Sequence, residues 1–299
     1  ERSYGAVQVA NSRSVLAGYD VTLAGVGAVV ESIGAGWAPP VRVHCAAAAL
    51  PTLFEVESLV TEVGERLDPP IVGFPAPSPC AMPVCLAPRA LATFLRPLKA
   101  ALSGYEALLG DSPLRGRLYQ QVLHQAISVT DDPLTPGRPG SRPVDDDGVP
   151  SRTLPLVTAG QLTGLLVDLQ VGARAGVPST GHAWRFLDAA PRIGFTNLRM
   201  APGLRTRAEL LAEMGPGLWV ADLDWGTGPN GISGAITVRA PWAYLVEGGE
   251  VRGRVEGVVL SGNVFDALRG EVAVGNDATW VGAQCLPSLV VKLSVYCNA

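Results

Sequence analysis

The residues able to do chemistry are few, and their spacing excludes more than it offers. The three histidines, His44, His124 and His182, are scattered, and none has a second histidine three or four positions away, as a helical metal motif requires. Cys80 and Cys85 are spaced C-x4-C, with no second Cys or His pair nearby to complete four ligands, so they read as buried thiols. Asp145, Asp146 and Asp147, with Asp131 and Asp132 upstream, offer oxygen ligands, but the spacing fits no calcium loop. Adjacent aspartates point different ways. A solvated loop, or one fixed by backbone hydrogen bonds and by Arg138, Arg142 and Arg152, is the plainer expectation. Gly226, Gly228 and Gly231 match G-x-G-x-x-G, yet a strand-like run follows where a helix should open, and Pro229 removes a donor. That stretch reads as a turn. No Gly-x-Ser-x-Gly elbow and no Walker loop is present.

Composition narrows the partners. The 299 residues are 47% apolar, enough for a full core, and the net charge of −4 gives no reason to attract nucleic acid or an anionic membrane. Five cysteines are an odd number in a chain too large to need staples, so reduced thiols and a cytoplasmic setting are expected. No run approaches a spanning helix, and no signal pattern opens the chain. The chain starts at Glu1 with a strand already under way at Tyr4, the pattern of a remainder from which a preceding segment is missing.

The elements that must position these residues alternate between short strands and few helices. Glycine (35) and proline (25) punctuate Val/Leu-rich runs, the rhythm of sheets joined by turns. Strands are predicted at 5–9 and 19–31, and an amphipathic helix at 52–67, where Leu53, Val56, Leu59, Val60, Val63 and Leu67 recur at helical spacing. Residues 1–68 therefore form one sub-region, 69–83 a linker, and 84–299 the main domain. Within that domain a strand is predicted at 83–87. One helix follows at 88–109, kinked at Pro97, with Leu91, Phe94, Leu95, Leu98 and Leu102 on one side. A short helix is predicted at 114–122, a hairpin from 154–157 and 162–169, and a capping-box helix from Thr206 and Glu209 to Met214. Strands at 218–223, 235–239, 243–246 and 251–260 read as a meander, before a helix at 263–269 and a strand at 288–296. The segment 130–151, with five prolines, three glycines and five aspartates, is an ordered surface loop or one that lines a site. The fold class is α+β.

The run Val129-Thr-Asp-Asp-Pro133, then Gly140-Ser-Arg-Pro-Val-Asp-Asp-Asp-Gly-Val-Pro-Ser-Arg152, resembles the signature loop of the TldD/PmbA metallopeptidase family. The resemblance continues through Leu156-Val-Thr-Ala-Gly-Gln-Leu162, Pro178-Ser-Thr-Gly181, Arg192-Ile-Gly-Phe-Thr-Asn197, Leu260-Ser-Gly-Asn263, Val274-Gly-Asn-Asp277 and Pro287-Ser-Leu289. It is close from about Val84 onward and weak before. Family members usually carry a further N-terminal domain, of which residues 1–68 are expected to be a remainder.

In that family one subunit binds zinc through a His-Glu-x-x-x-His helix. The stretch compared with it here, 88–109, has no histidine, and its only acid is Glu106. The resemblance therefore implies the metal-free TldE/PmbA-type subunit: a large curved, tube-like mixed sheet with a few packed helices, paired with a TldD-like subunit that carries the zinc. Substrates would be extended or modified peptides held along a sheet edge. It places Asp145, Asp146, Asp147, Ser151, Arg152, Thr180, Gly181, His182 and Arg185 along the substrate channel, with no catalytic or metal residue in this chain. His182 stands where the family has asparagine and would tune substrate selection or transfer a proton. Cys285 lies near a region that donates a metal ligand in the zinc subunit, and reads here as a buried thiol. Two other readings stay open: a stand-alone amidase or peptidase of natural-product maturation using Cys285 or His182, and a scaffold that has left the peptidase role.

Overall fold

The dominant constraint on the chain is a ring of five strands that closes on itself. In the computed structural model, residues 1–10, 12, 15–31, 39–48, 53–74, 79–186, 189–225 and 231–297 are described. The Gly-rich run at 226–230, Asn11 and the centre of the 69–83 stretch fall outside them. In chain order the first elements are β1 (Arg2–Ala10), β2 (Leu16–Val30), β3 (Val41–Ala47), α1 (Leu53–Leu67), β4 (Cys80–Leu86), α2 (Pro88–Phe94) and α3 (Arg96–Ala101). Then come β5 (Val129–Asp131), β6 (Leu154–Thr158), β7 (Gln161–Leu162), α4 (Leu169–Ala175), β8 (Ala183–Phe186), β9 (Ala189–Ile193), β10 (Leu198–Met200) and α5 (Arg207–Met214). The last third holds β11 (Gly217–Asp224), β12 (Ala235–Glu247), β13 (Glu250–Val255), β14 (Val258–Asn263), α6 (Val264–Arg269), β15 (Ala273–Val274), β16 (Thr279–Val281), β17 (Gln284–Leu286) and β18 (Leu289–Cys297).

The ring runs β4–β11–β12–β14–β18 and back to β4. β4 is parallel to β11, with Leu218 opposite Val84, and antiparallel to β18, with Leu289 opposite Leu86. β12 serves three partners because its two halves face different strands: Ala235 to Arg239 pair with β14, and Ala243 to Glu247 lie between β11 and β13. Pro241 sits where the halves meet. It has no N–H to give a ladder, and the β11 register shifts on either side of Asp222 accordingly. The fold is thus α+β with a closed, tube-like mixed sheet, as expected.

Both faces of the ring are packed. Val84, Leu86, Val220, Val238, Leu260 and Val291 join α2, α3 and α6 in the main core. The opposite face, with Cys85, Trp219, Ala221 and Tyr244, is covered by α1, α5 and β3. A second sheet, β16-β17-β10-β5-β6-β7, carries the loops of interest, while β1-β2-β3 stands as a three-stranded sheet whose first two strands are largely exposed. Among the described residues no helix is long and apolar enough to cross a membrane.

Several predicted elements are redrawn. The 88–109 helix has the buried face foreseen for it, since Leu91, Phe94, Leu95, Leu98 and Leu102 are all within 1% of full burial. It is three pieces, however. α2 stops at Leu95, because Pro97 cannot donate to the preceding turn and crowds the carbonyl four residues back. After α3 the backbone of Gly104 donates to Leu166 O, at a closeness where a Cβ would sit 2.5 Å from that oxygen, and a π-helical turn, Tyr105–Leu109, follows. The 114–122 helix does not form: Gly116 and Tyr119 both take positive φ, and Tyr119 N donates to Leu162 O instead. The 154–169 hairpin turns at Ala159 and Gly160, both at positive φ. Its second arm is only Gln161–Leu162, and Leu169 opens α4. The strands at 235–239 and 243–246 are one, and 251–260 is two, split at Gly257. The meander is therefore a ring with one long shared strand.

The capping box at Thr206 and Glu209 forms as foreseen. α6 starts on Asn263, whose Oδ1 accepts from Phe265 N and Asp266 N while its Nδ2 donates to Ser233 O. Replacing Asn263 by Ala should lower stability by about 1–2 kcal/mol, read as a lower urea midpoint at unchanged slope.

Candidate functional site

The signature loop is built around two buried carboxylates. Asp131, at the end of β5, is fully buried and accepts from Thr196 N at 3.0 Å, from the Thr196 hydroxyl and from His182 Nε2 at 3.0 Å. His182 Nδ1 shares a hydrogen bond with the Thr180 hydroxyl, 2.8 Å away, and that hydroxyl also receives Val167 N at 2.7 Å and lies 3.1 Å from Val167 O. An amide, a hydroxyl, an imidazole and a carboxylate thus form one chain.

Asp145 is equally buried. Its two oxygens accept the amides of Asp147 (3.0 Å), Val149 (2.8 Å) and Ala183 (3.0 Å), so it closes its own turn and ties it to β8. Asp146 receives Arg185 N at 2.7 Å, and Asp147 receives Arg185 Nη2 at 2.6 Å. The loop is therefore fixed largely by backbone hydrogen bonds, one of the two expected arrangements. The arginine partners are Arg142, 3.6 Å from Asp146, and Arg185. Arg138 lies instead on the Trp280 ring.

Asn197 completes the frame. Its Oδ1 accepts Gly140 N at 3.1 Å, and its Nδ2 donates to Asp132 O and Ser141 Oγ, both at 2.9 Å. Gly140 is required there, since a Cβ would lie 2.1 Å from Thr196 O. Asp132 gathers Thr135 and Thr153 hydroxyls, Leu134 N and Arg199. Burial alone would raise its carboxyl, but those four bonds together hold it below the usual carboxylate range.

Of the nine residues placed on the channel by sequence, Asp145, Thr180, Gly181 and His182 lie in the interior. His182 is 0% exposed, and both ring nitrogens are spent on the frame, so it cannot meet a peptide in this arrangement. Asp146, Asp147 and Ser151 are half-buried, and Arg152 and Arg185 are exposed. Arg142 was not singled out as a site residue, yet its guanidinium is buried 4.1 Å from the Trp184 ring. Its Nη1 donates to Ala183 O, while Nε, Nη2, the nearby Ser151 Oγ and Trp184 Nε1 find no partner among the described residues. Burial lowers its pKa, and Asp146 offsets this in part. Sequence reasoning also missed Asp131 and Thr196 as the centre of the frame. The only signal was their presence in the two motifs, 129–133 and 192–197.

Cys285, on β17, has its thiol raised by burial, with Arg199 and Arg138 pulling the other way. All five cysteines are free thiols. Among the described residues no three His, Cys, Asp or Glu side chains converge as metal ligands.

Residues 79–296 match the family model described as the PmbA/TldA metallopeptidase C-terminal domain. The chain belongs to this family. A Haemophilus influenzae protein called a metalloprotease PmbA homolog is 32% identical over 179 residues, 60% of this chain and 37% of that protein. A Methanothermobacter thermautotrophicus metalloprotease is 29% identical over 170 residues, 57% of this chain and again 37% of the relative. The chain thus spans little more than a third of the length of these relatives in alignment. The crystal structure of TldE from Thermococcus kodakarensis superposes with a TM-score of 0.86, at 23% identity, over 99% of this chain and 67% of that one. The shared fold therefore includes the first third, where sequence resemblance is weak.

Replacing Asp145 by Ala leaves one buried and two half-buried amides without their acceptor and should cost about 3 kcal/mol. Asp147→Ala, which loses a pair to the exposed Arg185, should cost about 1 kcal/mol or less. Chemical denaturation of both variants tests this contrast. Asp132 adds stability that is complete above its unfolded pKa of about 3.9 and is lost as pH falls through its lower folded value. Asp132→Asn should flatten that acid limb of a stability–pH curve.

Proposed function

We propose that this chain is the metal-free subunit of a two-chain metallopeptidase, shaping the channel in which a zinc-bearing, TldD-like partner cuts an extended or modified peptide. The single observation that carries this reading is the absence of imidazoles from α2, α3 and the following π-helical turn in a chain of metallopeptidase lineage. The donor set does not suit zinc. His182 is bound to Asp131 and Thr180, the His124 Nδ1 accepts Ala126 N, and His44 lies 3.5 Å from Arg89. No reaction step is therefore assigned to a metal in this chain. The partly or fully exposed residues, Asp146, Asp147 and Arg152 of the signature loop and Arg185 of β8, are the ones that would face the channel.

The stand-alone enzyme reading has less support. A nucleophilic cysteine needs a lowered pKa, and burial raises that of Cys285; Cys85 is pushed up to about 12, again mainly by burial. The buried His182 has no open side from which to act on a solute.

Elemental analysis of the dialysed chain should find sub-stoichiometric zinc, and peptide hydrolysis should appear only on co-expression with a relative bearing His-Glu-x-x-x-His. One tightly held zinc per polypeptide, or hydrolysis by the chain alone that is lost on replacing Cys285 or His182, would overturn the proposal.

A further inference from the structure

Among the described residues, α3 presents two cations without a carboxylate partner. Arg96 and Lys99 are three residues apart, and so share one side of the helix. The Arg96 guanidinium carbon lies 5.2 Å from the Trp225 ring centroid, and Lys99 Nζ lies 5.6 Å from that of Phe195. The two rings come from different parts of the chain, the end of β11 and the loop after β9. Among the described residues neither cation forms a salt bridge or donates a side-chain hydrogen bond, so the rings are their immediate neighbours of note.

Among the described residues, three of the four other stacked arginines differ from them, Arg138 on Trp280 being the exception. Arg142, Arg207 and Arg254 also lie on tryptophans, but each has a carboxylate as well: Asp146, Glu65 and Glu256 respectively. Lys99 is half-buried and its pKa is lowered, first by desolvation and then by Arg96. Asp131 offsets this, but the Asp131 oxygens are already occupied by Thr196 and His182. A partly desolvated ammonium beside a second cation is an unfavourable arrangement that an incoming anion relieves. Guanidinium offers a planar fork to a planar anion, and the two rings offer apolar surface to the organic group that carries it.

We propose that Arg96 and Lys99, flanked by Trp225 and Phe195, form a binding site for a peptide carboxylate, either an acidic side chain or a C-terminus. The proposal deepens the role of channel-forming subunit by naming a substrate class, and it rests on that reading only for the identity of the ligand as a peptide. It concerns binding, so it is tested without catalysis and fails separately from the metal analysis.

The test is fluorescence anisotropy on the full chain with three labelled peptides of otherwise identical sequence. One carries an internal Asp and an amidated end, one has Asn there and a free C-terminal carboxylate, and one has Asn and an amidated end. At least one charged peptide should bind about tenfold more tightly than the uncharged one, a difference of about 1.4 kcal/mol. Which of the two does so identifies the source of the carboxylate. The preference should shrink with added salt and disappear in the double variant R96Q/K99M. Arg96 is exposed, so R96E keeps the test decisive if the double variant does not fold: it should favour the same peptide with Lys in place of Asp. Equal binding of all three peptides, a preference that survives R96Q/K99M, or an unchanged preference in R96E would each overturn the proposal. So would displacement of the charged peptide by inorganic phosphate at concentrations where acetate has no effect, because the site would then select phosphate over carboxylate.

Discussion

The arrangement of the signature loops hangs on the Asp131 carboxylate. It is a polar group removed wholly from water, where two donors from Thr196 and a hydrogen bond with His182 satisfy it. Those partners arrive from separate segments, 65 and 51 residues away in the chain. The carboxylate is therefore the point at which β5, the 179–185 segment and the 193–197 loop are brought into one geometry. Neighbouring Asp145 does the same at shorter range, fixing its own turn and the start of β8. The outer face of the site, carrying Asp146, Asp147 and Arg185, is positioned by this interior pair.

A second theme is the treatment of aromatic rings. Each of the five described tryptophans, Trp184, Trp219, Trp225, Trp242 and Trp280, has an arginine on the ring. Such stacking lets a large ring stay near the surface without exposing a bare apolar face, and it keeps the guanidinium in a defined place. In most pairs the charge is then answered by a carboxylate. Where it is not, as for Arg96 and Arg138 among the described residues, the ring is the neighbour that positions the guanidinium.

Much of the architecture was legible from sequence because it depends on local patterns. The buried stripe of α2 and α3 follows from Leu and Phe spacing, the α5 start from Thr206 and Glu209, and the α6 start from Asn263. What failed was decided at long range or by backbone conformation. Nothing near Leu114 announces that Tyr119 will bond to Leu162 in place of its own turn, and nothing in 235–246 shows that one strand will serve three. The aspartate run shows the same limit. Three identical residues in a row have different fates, one interior and two at the surface side, and only contacts with Ala183 and Arg185, 38 and 39 positions on, separate them. His182 was expected along the channel as a residue that tunes selection or transfers a proton. That expectation gave no hint that the imidazole points inward.

The ring has a bearing on how the protein is made. Its first strand and its final one are neighbours, with Cys80 opposite Val295, so the seam is formed by segments synthesised more than two hundred residues apart. While the ribosome still holds the last strand, β4 has an open edge and the apolar side chains of both sheet faces lack their cover. Cooperative closure must therefore wait until translation has passed residue 297, and until then the nascent polypeptide is a natural client for chaperones. The same adjacency brings the two ends of the catalytic-family module together, which makes it a unit that evolution can append to, or insert within, other architectures with little disturbance.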